Sequence, residues 1–144
     1  MEGSEENKMR HWLLPTFGAF FFWGFTAFLP KLTVRYLSPK SALLFETLGG
    51  MIVAFIILAS LKFRPDIHPK GVLLAMASGA LAFSGALCFY YAVSKGPVSL
   101  VATVSGLSPV IPVLLAMFVL QEPLSMKQGL GIVFALLSMV LIAT

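Results

Sequence analysis

Glu46 is the acidic side chain that lies within a long apolar run of this chain, residues 42–61. If the helix that carries it begins at Pro39, Glu46 lies about two turns, or ~10 Å, from the helix end. A carboxylate in apolar surroundings needs a polar cavity, a partner or a proton, which makes Glu46 a candidate charge gate. The candidate ion-pair partners are Lys31, Arg35 and Lys40. The alternative is a glutamate that reaches a polar surface and has no further role.

A stripe of small, hydroxyl and aromatic residues follows one face of the first apolar run, residues 12–29. Steps of three and four residues place its members on the same side of a helix. They are Thr16, Ala19, Trp23, Thr26 and Pro30. Such a face suits the lining of a cavity, with Trp23 and Thr26 as its candidate contacts. It equally suits close packing against another helix.

The third apolar run, residues 71–93, ends with two adjacent tyrosines, Tyr90 and Tyr91. They are candidates for solute contact at the mouth of a cavity. The alternative is an interfacial pair, because tyrosine is common at the boundary between a membrane and water. Earlier in this run, the small residues Ser78, Ala82 and Ala86 recur at every fourth position. They predict close helix packing.

The fourth run, residues 98–120, has an unusual first half that is rich in hydroxyl side chains and contains two prolines. Pro109 and Pro112 remove two backbone donors, so we expect the carbonyls of Ser105 and Ser108 to lack their helical partners. A break of this kind is tolerated where it faces protein or a wet cavity. Ser105 and Pro109 are therefore candidate pathway residues. The alternative is a kinked helix that serves packing alone.

Other functions are not supported by the residue types present. No nucleophile–base pair, metal-ligand spacing or glycine-rich phosphate loop appears, so the sequence predicts no enzyme, no catalytic residues, no metal and no cofactor. Cys88 is the single cysteine. The sequence pI is about 9.5. Because the basic residues lie between apolar runs, they predict contact with lipid headgroups and no binding to nucleic acid.

These candidate residues require a membrane as their setting. The chain has 144 residues, of which 58% are hydrophobic and 11% charged, and its mean hydropathy is +0.94. Five apolar runs of about 18–23 residues fill it, each near the ~20 that a helix needs to cross a bilayer. They cover residues 12–29, 42–61, 71–93, 98–120 and 126–143. We therefore predict an all-α membrane protein, with a polar N-terminal tail (1–11) and one domain of five transmembrane helices (12–144).

Proline and glycine residues mark the ends of the apolar runs. Pro30 is expected to end the first helix, while Pro39 and Pro69 are expected to begin the second and third. Lys95-Gly96-Pro97 predicts a tight corner between antiparallel third and fourth helices.

The basic residues give a weak topological signal. Six lie on the side of the N-terminus: Lys8, Arg10, Lys62, Arg64, Lys70 and Lys127. Four lie on the other side: Lys31, Arg35, Lys40 and Lys95. This favours the N-terminus inside, but by only two residues.

The sequence also resembles a known family, the EamA domain of the drug/metabolite transporter superfamily. Trp23-Gly24 and the stretch YYAVSKGPVSLVATVSGLSPVIPVLLAMFVLQEPLSMKQGLGIVFALLSMVLI (90–142) carry the resemblance, together with the five-span length. Two positions depart from the family pattern. Gln121-Glu122 stands where Gly-Glu is common, and Glu46 stands where arginine is often found.

The resemblance implies a secondary transporter subunit in the cell (plasma or inner) membrane, surrounded by membrane lipid and moving a small-molecule solute. Most members join two inverted five-span repeats, so this half-bundle is expected to form a homodimer, antiparallel rather than parallel, that works by alternating access. We expect the first and fourth helices to line the path, with the third as a further candidate. The candidate pathway residues are Trp23, Thr26, Glu46, Tyr90, Tyr91, Ser105 and Pro109.

Three alternatives stay open on the sequence alone. The chain is compatible with a non-transporting accessory subunit of a larger complex, and with a flippase subunit for lipid-linked sugars. It is also compatible with one half of a longer product. Met1 favours a natural start, while the end at Thr144, close behind the last apolar run, leaves a longer C-terminus open.

Overall fold

The computed structural model describes residues 2–121, 123 and 125–143. This part of the chain is all-helical. Its helices are α1 (Glu2–Thr33), α2 (Pro39–Ser60), α3 (Pro69–Lys95), α4 (Val98–Ser105), α5 (Val110–Val119) and α6 (Met126–Ala143). The polar residues before the first apolar run thus continue the helix that carries the run.

Four segments of the described chain are helical, long and apolar enough to cross a membrane. They are Leu13–Thr33, Pro39–Ser60, Pro69–Lys95 and Val98–Val119. The fourth consists of α4 and α5, and a shorter apolar stretch, Gly129–Ser138, lies within α6. These elements confirm the predicted all-α membrane fold, and place its fourth span in two helical pieces.

Two helix starts follow the predicted proline signals. Ser38 caps α2, and its side chain accepts a hydrogen bond from the Ser41 backbone N–H at 3.3 Å. His68 caps α3 in the same manner, with Nδ1 accepting from the Gly71 N–H at 3.4 Å. In each case proline occupies the first helical position, where a missing N–H costs nothing. The expected starts at Pro39 and Pro69 are confirmed.

The predicted end of the first helix at Pro30 is wrong, because α1 continues to Thr33. A proline deprives the carbonyl four residues earlier, here that of Thr26, of its helical donor. It does not prevent the residues that follow it from donating to other carbonyls. The Pro30 carbonyl itself accepts from the Val34 N–H at 3.0 Å, which carries the chain past the end of the helix.

Helix α3 is the centre of the bundle. It packs against α1, α2 and α4, and α4 also contacts α1 and α6. Gly96 ends α3, and α4 begins two residues later at Val98, so the tight corner predicted there is confirmed. Among the side chains that the structure describes, the buried ones are Pro30, Ala42, Tyr90 and Val93. The tightest packing therefore lies where α1, α2 and α3 meet.

Candidate functional site

A cavity of about 240 Å³ lies between α1, α2 and α3. On α1 and α3 the lining positions are spaced by one, three or four residues, so each helix presents a single face. The lining residues are Trp23, Thr26, Ala27, Pro30, Glu46, Ala86, Phe89 and Tyr90. Four of the candidate pathway residues thus share one cavity: Trp23, Thr26, Glu46 and Tyr90.

Glu46 contributes the carboxyl group of this cavity. Its Oε2 atom is buried and has no hydrogen-bond partner. The Tyr90 side chain interacts with both the Glu46 carboxylate and the Thr33 hydroxyl, and Tyr90 is only 5% exposed. The carboxylate is therefore held on one side by a packed tyrosine and leaves an acceptor oxygen unused. A buried polar atom without a partner is costly in apolar surroundings, so this oxygen marks a position suited to a ligand donor.

A second cavity of about 260 Å³ adjoins the first. Its lining includes Thr26, Pro30, Glu46 and Tyr90, which also line the first cavity. Its other lining residues are Leu29, Thr33, Ala42 and Phe45. Glu46 and Tyr90 therefore face two adjoining spaces, an arrangement that suits a gate between them.

One wall of the first cavity is incomplete. Trp23 lines it, yet 75% of the tryptophan surface is exposed. In a membrane, that exposed face meets either lipid or another protein chain. A single copy of the described bundle thus forms a groove along α1 and leaves its outer side open.

Lys31, one of the predicted ion-pair partners of Glu46, binds other groups in the structure. Lys31 Nζ donates to the carbonyl oxygen of Val93 at 2.7 Å and to that of Gly96 at 2.8 Å. The last carbonyls of a helix lack intrahelical donors and carry partial negative charge, so they attract a cation. The expected role of Lys31 as a partner of Glu46 is therefore replaced by a bond to the end of α3.

Three candidate pathway residues lie outside both cavities. Tyr91 adjoins Tyr90 in sequence but points elsewhere and is 40% exposed. Ser105, at the end of α4, is exposed. Pro109 lines a separate apolar cavity of about 150 Å³ between the α4–α5 segment and α6. The structure thus brings α2 into the main cavity, while the broken fourth span lies apart from it.

The predicted break in the fourth span is present, between Ser105 at the end of α4 and Val110 at the start of α5. As expected, the carbonyls of Ser105 and Ser108 receive no bond from the residues four positions on, which are Pro109 and Pro112, but both find other donors. They accept from the N–H groups of Ser108 at 3.0 Å and Ile111 at 3.1 Å, each three residues further on. The turn tightens to a 3₁₀ pattern and so satisfies the carbonyls without a ligand.

The sequence interpretation missed three residues that line the first cavity: Ala27, Ala86 and Phe89. Ala86 belongs to the small-residue stripe of α3, which was assigned to packing, and Phe89 was not considered. Both share a helix face with Tyr90, at spacings of four residues and one. The signal that could have found them was the face of α3 that Tyr90 defines. Next to Tyr90, the small side chain of Ala86 leaves space, and the aromatic ring of Phe89 borders it.

The side chains that line the cavity are of types that suit reversible contact with a solute. Among the described residues, no group of three or more His, Cys, Asp and Glu side chains is placed to hold a metal ion. The cavity combines one carboxylate, hydroxyl groups and aromatic rings within a bundle of apolar helices. These features define a polytopic membrane protein with a solute-sized cavity between its first three helices.

The comparisons with known proteins agree with this class. Residues 10–144 match the model of the EamA-like transporter family, and the chain belongs to that family. It is 30% identical over 122 residues to the uncharacterized protein MJ1333.1 of Methanocaldococcus jannaschii, covering 85% of this chain and 88% of the relative. It is 29% identical over 126 residues to the uncharacterized transporter YyaM of Bacillus subtilis, covering 85% of this chain but 41% of the relative. No solved structure matches the chain significantly.

Proposed function

We propose that this chain is a subunit of a secondary transporter that carries a small solute across the cell membrane by alternating access. The observation that carries the proposal is the cavity between α1, α2 and α3, which is lined by Glu46, a residue whose Oε2 atom is buried without a hydrogen-bond partner. Burial of a carboxyl group in a membrane bundle is costly, and such groups are typical of positions that meet a solute, an ion or a proton. Family membership supports transport as the purpose of the cavity.

The working unit in this proposal is a homodimer. The open side of the cavity at Trp23 supports it, because a second copy would complete the wall that one chain leaves open. The lengths of the relatives are also consistent with it. This chain spans 41% of the transporter YyaM, which leaves room in that protein for a second unit of similar size. Two separate copies of a short chain would supply the same two halves.

An antiparallel arrangement of the two copies is favoured over a parallel one. Repeats of inverted orientation build a central site between them and expose it alternately to either side. One sequence can supply both orientations only if its topological bias is small. The difference of two basic residues between the two sides meets this condition, since each contributes roughly 1 kcal/mol near a charged membrane surface.

Uptake into proteoliposomes that contain this chain alone tests the proposal. The vesicles should be offered a panel of small metabolites, with and without a pH gradient, and we expect saturable uptake of at least one of them. An assay for movement of a lipid-linked sugar in the same vesicles tests the flippase alternative. Vesicles in which the folded chain moves no solute would overturn the proposal in favour of an accessory subunit.

A matched pair of variants connects flux with the cavity. Trp23→Ala removes a lining ring and should lower the rate of uptake at least several-fold. Phe22→Ala removes an equally exposed neighbouring ring, 76% against 75%, that lines neither of the two cavities. It should leave uptake close to that of the unmodified chain. Equal losses in both variants would indicate that the α1 surface as a whole, and not the cavity, limits transport.

A further inference from the structure

We propose that the solute of the α1–α3 cavity is a monovalent organic cation, a protonated amine with N–H donors and an apolar body. This inference rests on the proposed transport function and names its substrate class. The starting point is the charge of the lining. Glu46 is the one carboxyl group there, and among the residues described as lining either cavity there is no Lys, Arg or His. The nearest lysine on α1, Lys31, is bound to the carbonyls of Val93 and Gly96.

The available acceptor matches an ammonium group. Glu46 Oε2 is buried without a donor, so an incoming N–H group can bond to it without displacing a protein partner. The Thr26 hydroxyl donates to the Phe22 carbonyl at 2.7 Å and is thereby turned to its own helix. Glu46 is therefore the acceptor that this cavity offers to an ammonium group.

The aromatic rings complete the match. Trp23, Phe89 and Tyr90 line the same cavity as Glu46. The faces of such rings attract a cation, most strongly where water is excluded. Carboxylate and ring faces together favour a positive ligand and disfavour an anion, which would meet the Glu46 charge. A bare metal ion is disfavoured as well, since one carboxylate and aromatic rings do not form the oxygen cage that such ions need.

The volume sets the size of the ligand. At about 240 Å³ the cavity exceeds the engineered cavity of roughly 150 Å³ that accepts benzene. A single aromatic ring with a short aminoalkyl chain fits within this range. Phenethylamine is therefore a suitable probe. Its neutral counterpart, 2-phenylethanol, has nearly the same shape and lacks only the charge and the additional donors.

Direct binding in nanodiscs tests the inference independently of transport. The chain contains two tryptophans, so a Trp12→Phe background leaves Trp23 as the reporter inside the cavity. We expect phenethylamine to change Trp23 fluorescence saturably and to bind at least tenfold more tightly than 2-phenylethanol. The neutral variant Glu46→Gln should abolish this preference while leaving the alcohol affinity unchanged. Asp66→Asn, a charge change in the exposed α2–α3 loop, is the matched control and should preserve the preference.

The outcomes separate this inference from the proposed function. A preference for the amine that depends on Glu46 supports the inference whether or not the vesicles show flux. Equal binding of amine and alcohol by the unmodified protein overturns it, even where other solutes are transported. That comparison needs no substitution at Glu46, so it holds if Glu46→Gln fails to fold. Retention of the preference in folded Glu46→Gln overturns it too.

Discussion

The ammonium group of Lys31 lies 2.7 Å from the carbonyl oxygen of Val93, which joins the end of α1 to the end of α3. The same group reaches the Gly96 carbonyl at 2.8 Å, in the corner that leads into α4. Both carbonyls belong to a helix terminus, where donors from the helix itself run out. Val93 is fully buried, so this contact lies at the packed end of the bundle, next to the cavity.

Replacement of Lys31 should therefore destabilise the protein. Lys31→Met keeps the apolar stem but removes the donor, and we expect the free energy of unfolding to fall by about 2 kcal/mol, typical of bonds that involve a charged group. Unfolding by SDS in mixed micelles would measure the loss. Lys40→Met is the control, since Lys40 is an exposed lysine at the start of α2. Equal stability of the two variants would contradict a structural role for the Lys31 contacts.

The sequence predicted the helix starts better than the helix faces. Ser38 and His68 indicate where α2 and α3 begin, because capping and proline at the first helical position act locally, through bonds within three residues. The rotation of each helix about its own axis, which decides the side that faces the protein, was harder to predict from the sequence. In a membrane most helix faces are apolar, so a polar stripe rarely shows which side faces the protein. Ala86 was consequently assigned to packing although it lines the cavity.

The actual partners of Lys31 and of the Ser105 carbonyl could not be predicted, for a related reason. The sequence offered a carboxylate as the partner of Lys31, and protein or a wet cavity as the surroundings of the Ser105 carbonyl. Backbone groups competed for both. The end of α3 offered two carbonyls to Lys31, and the Ser108 N–H turned back to the Ser105 carbonyl. Such competition depends on how the chain turns in space and is not encoded in residue types alone.

Replacement of Gln121 by glycine should stabilise the protein. It follows α5 with a φ of 53°, the left-handed region in which a Cβ atom is unfavourable and glycine is preferred. Relief of this strain is worth about 1 kcal/mol, partly offset by the greater freedom of the unfolded chain. We expect a net increase of about 0.5 kcal/mol in the free energy of unfolding.

The SDS titration described for Lys31 would measure this gain as well. Gln121→Ala is the control, because alanine retains the Cβ atom and should show no comparable increase. A stabilisation by alanine equal to that by glycine would indicate that loss of the glutamine side chain, and not relief of the backbone, is responsible.

Pro109 should control the break between α4 and α5. Pro109→Ala supplies an N–H that can bond to the Ser105 carbonyl in the helical pattern, in place of the present bond from Ser108. We expect a locally straighter fourth span, a changed transport rate and little loss of folded protein. Vesicle uptake and size-exclusion chromatography would measure the two effects. Unchanged uptake, or failure to fold, would assign the break to packing.

Pro112 provides the comparison for this experiment. It lies inside α5, beyond the break, and an N–H at this position would reach only the Ser108 carbonyl, which already accepts from the Ile111 N–H. Pro112→Ala should therefore alter the break much less than Pro109→Ala. Similar effects of both substitutions on uptake would show that loss of a proline ring, rather than repair of the break, changes the rate.

Labelling of introduced cysteines should reveal both orientations of the chain in the membrane. Lys8→Cys and Lys95→Cys, each in a background without Cys88, place a single thiol on one or the other predicted side. Because the basic residues favour one orientation by only two, we expect each site to react with an impermeant maleimide from both sides. Each substitution also alters the bias, so Lys8→Cys lowers it and Lys95→Cys raises it. Labelling from both sides of the membrane in both variants therefore cannot be explained by a change of the topological bias in one direction. Exclusive labelling of Lys8→Cys from inside and of Lys95→Cys from outside would falsify the antiparallel dimer and leave the parallel one.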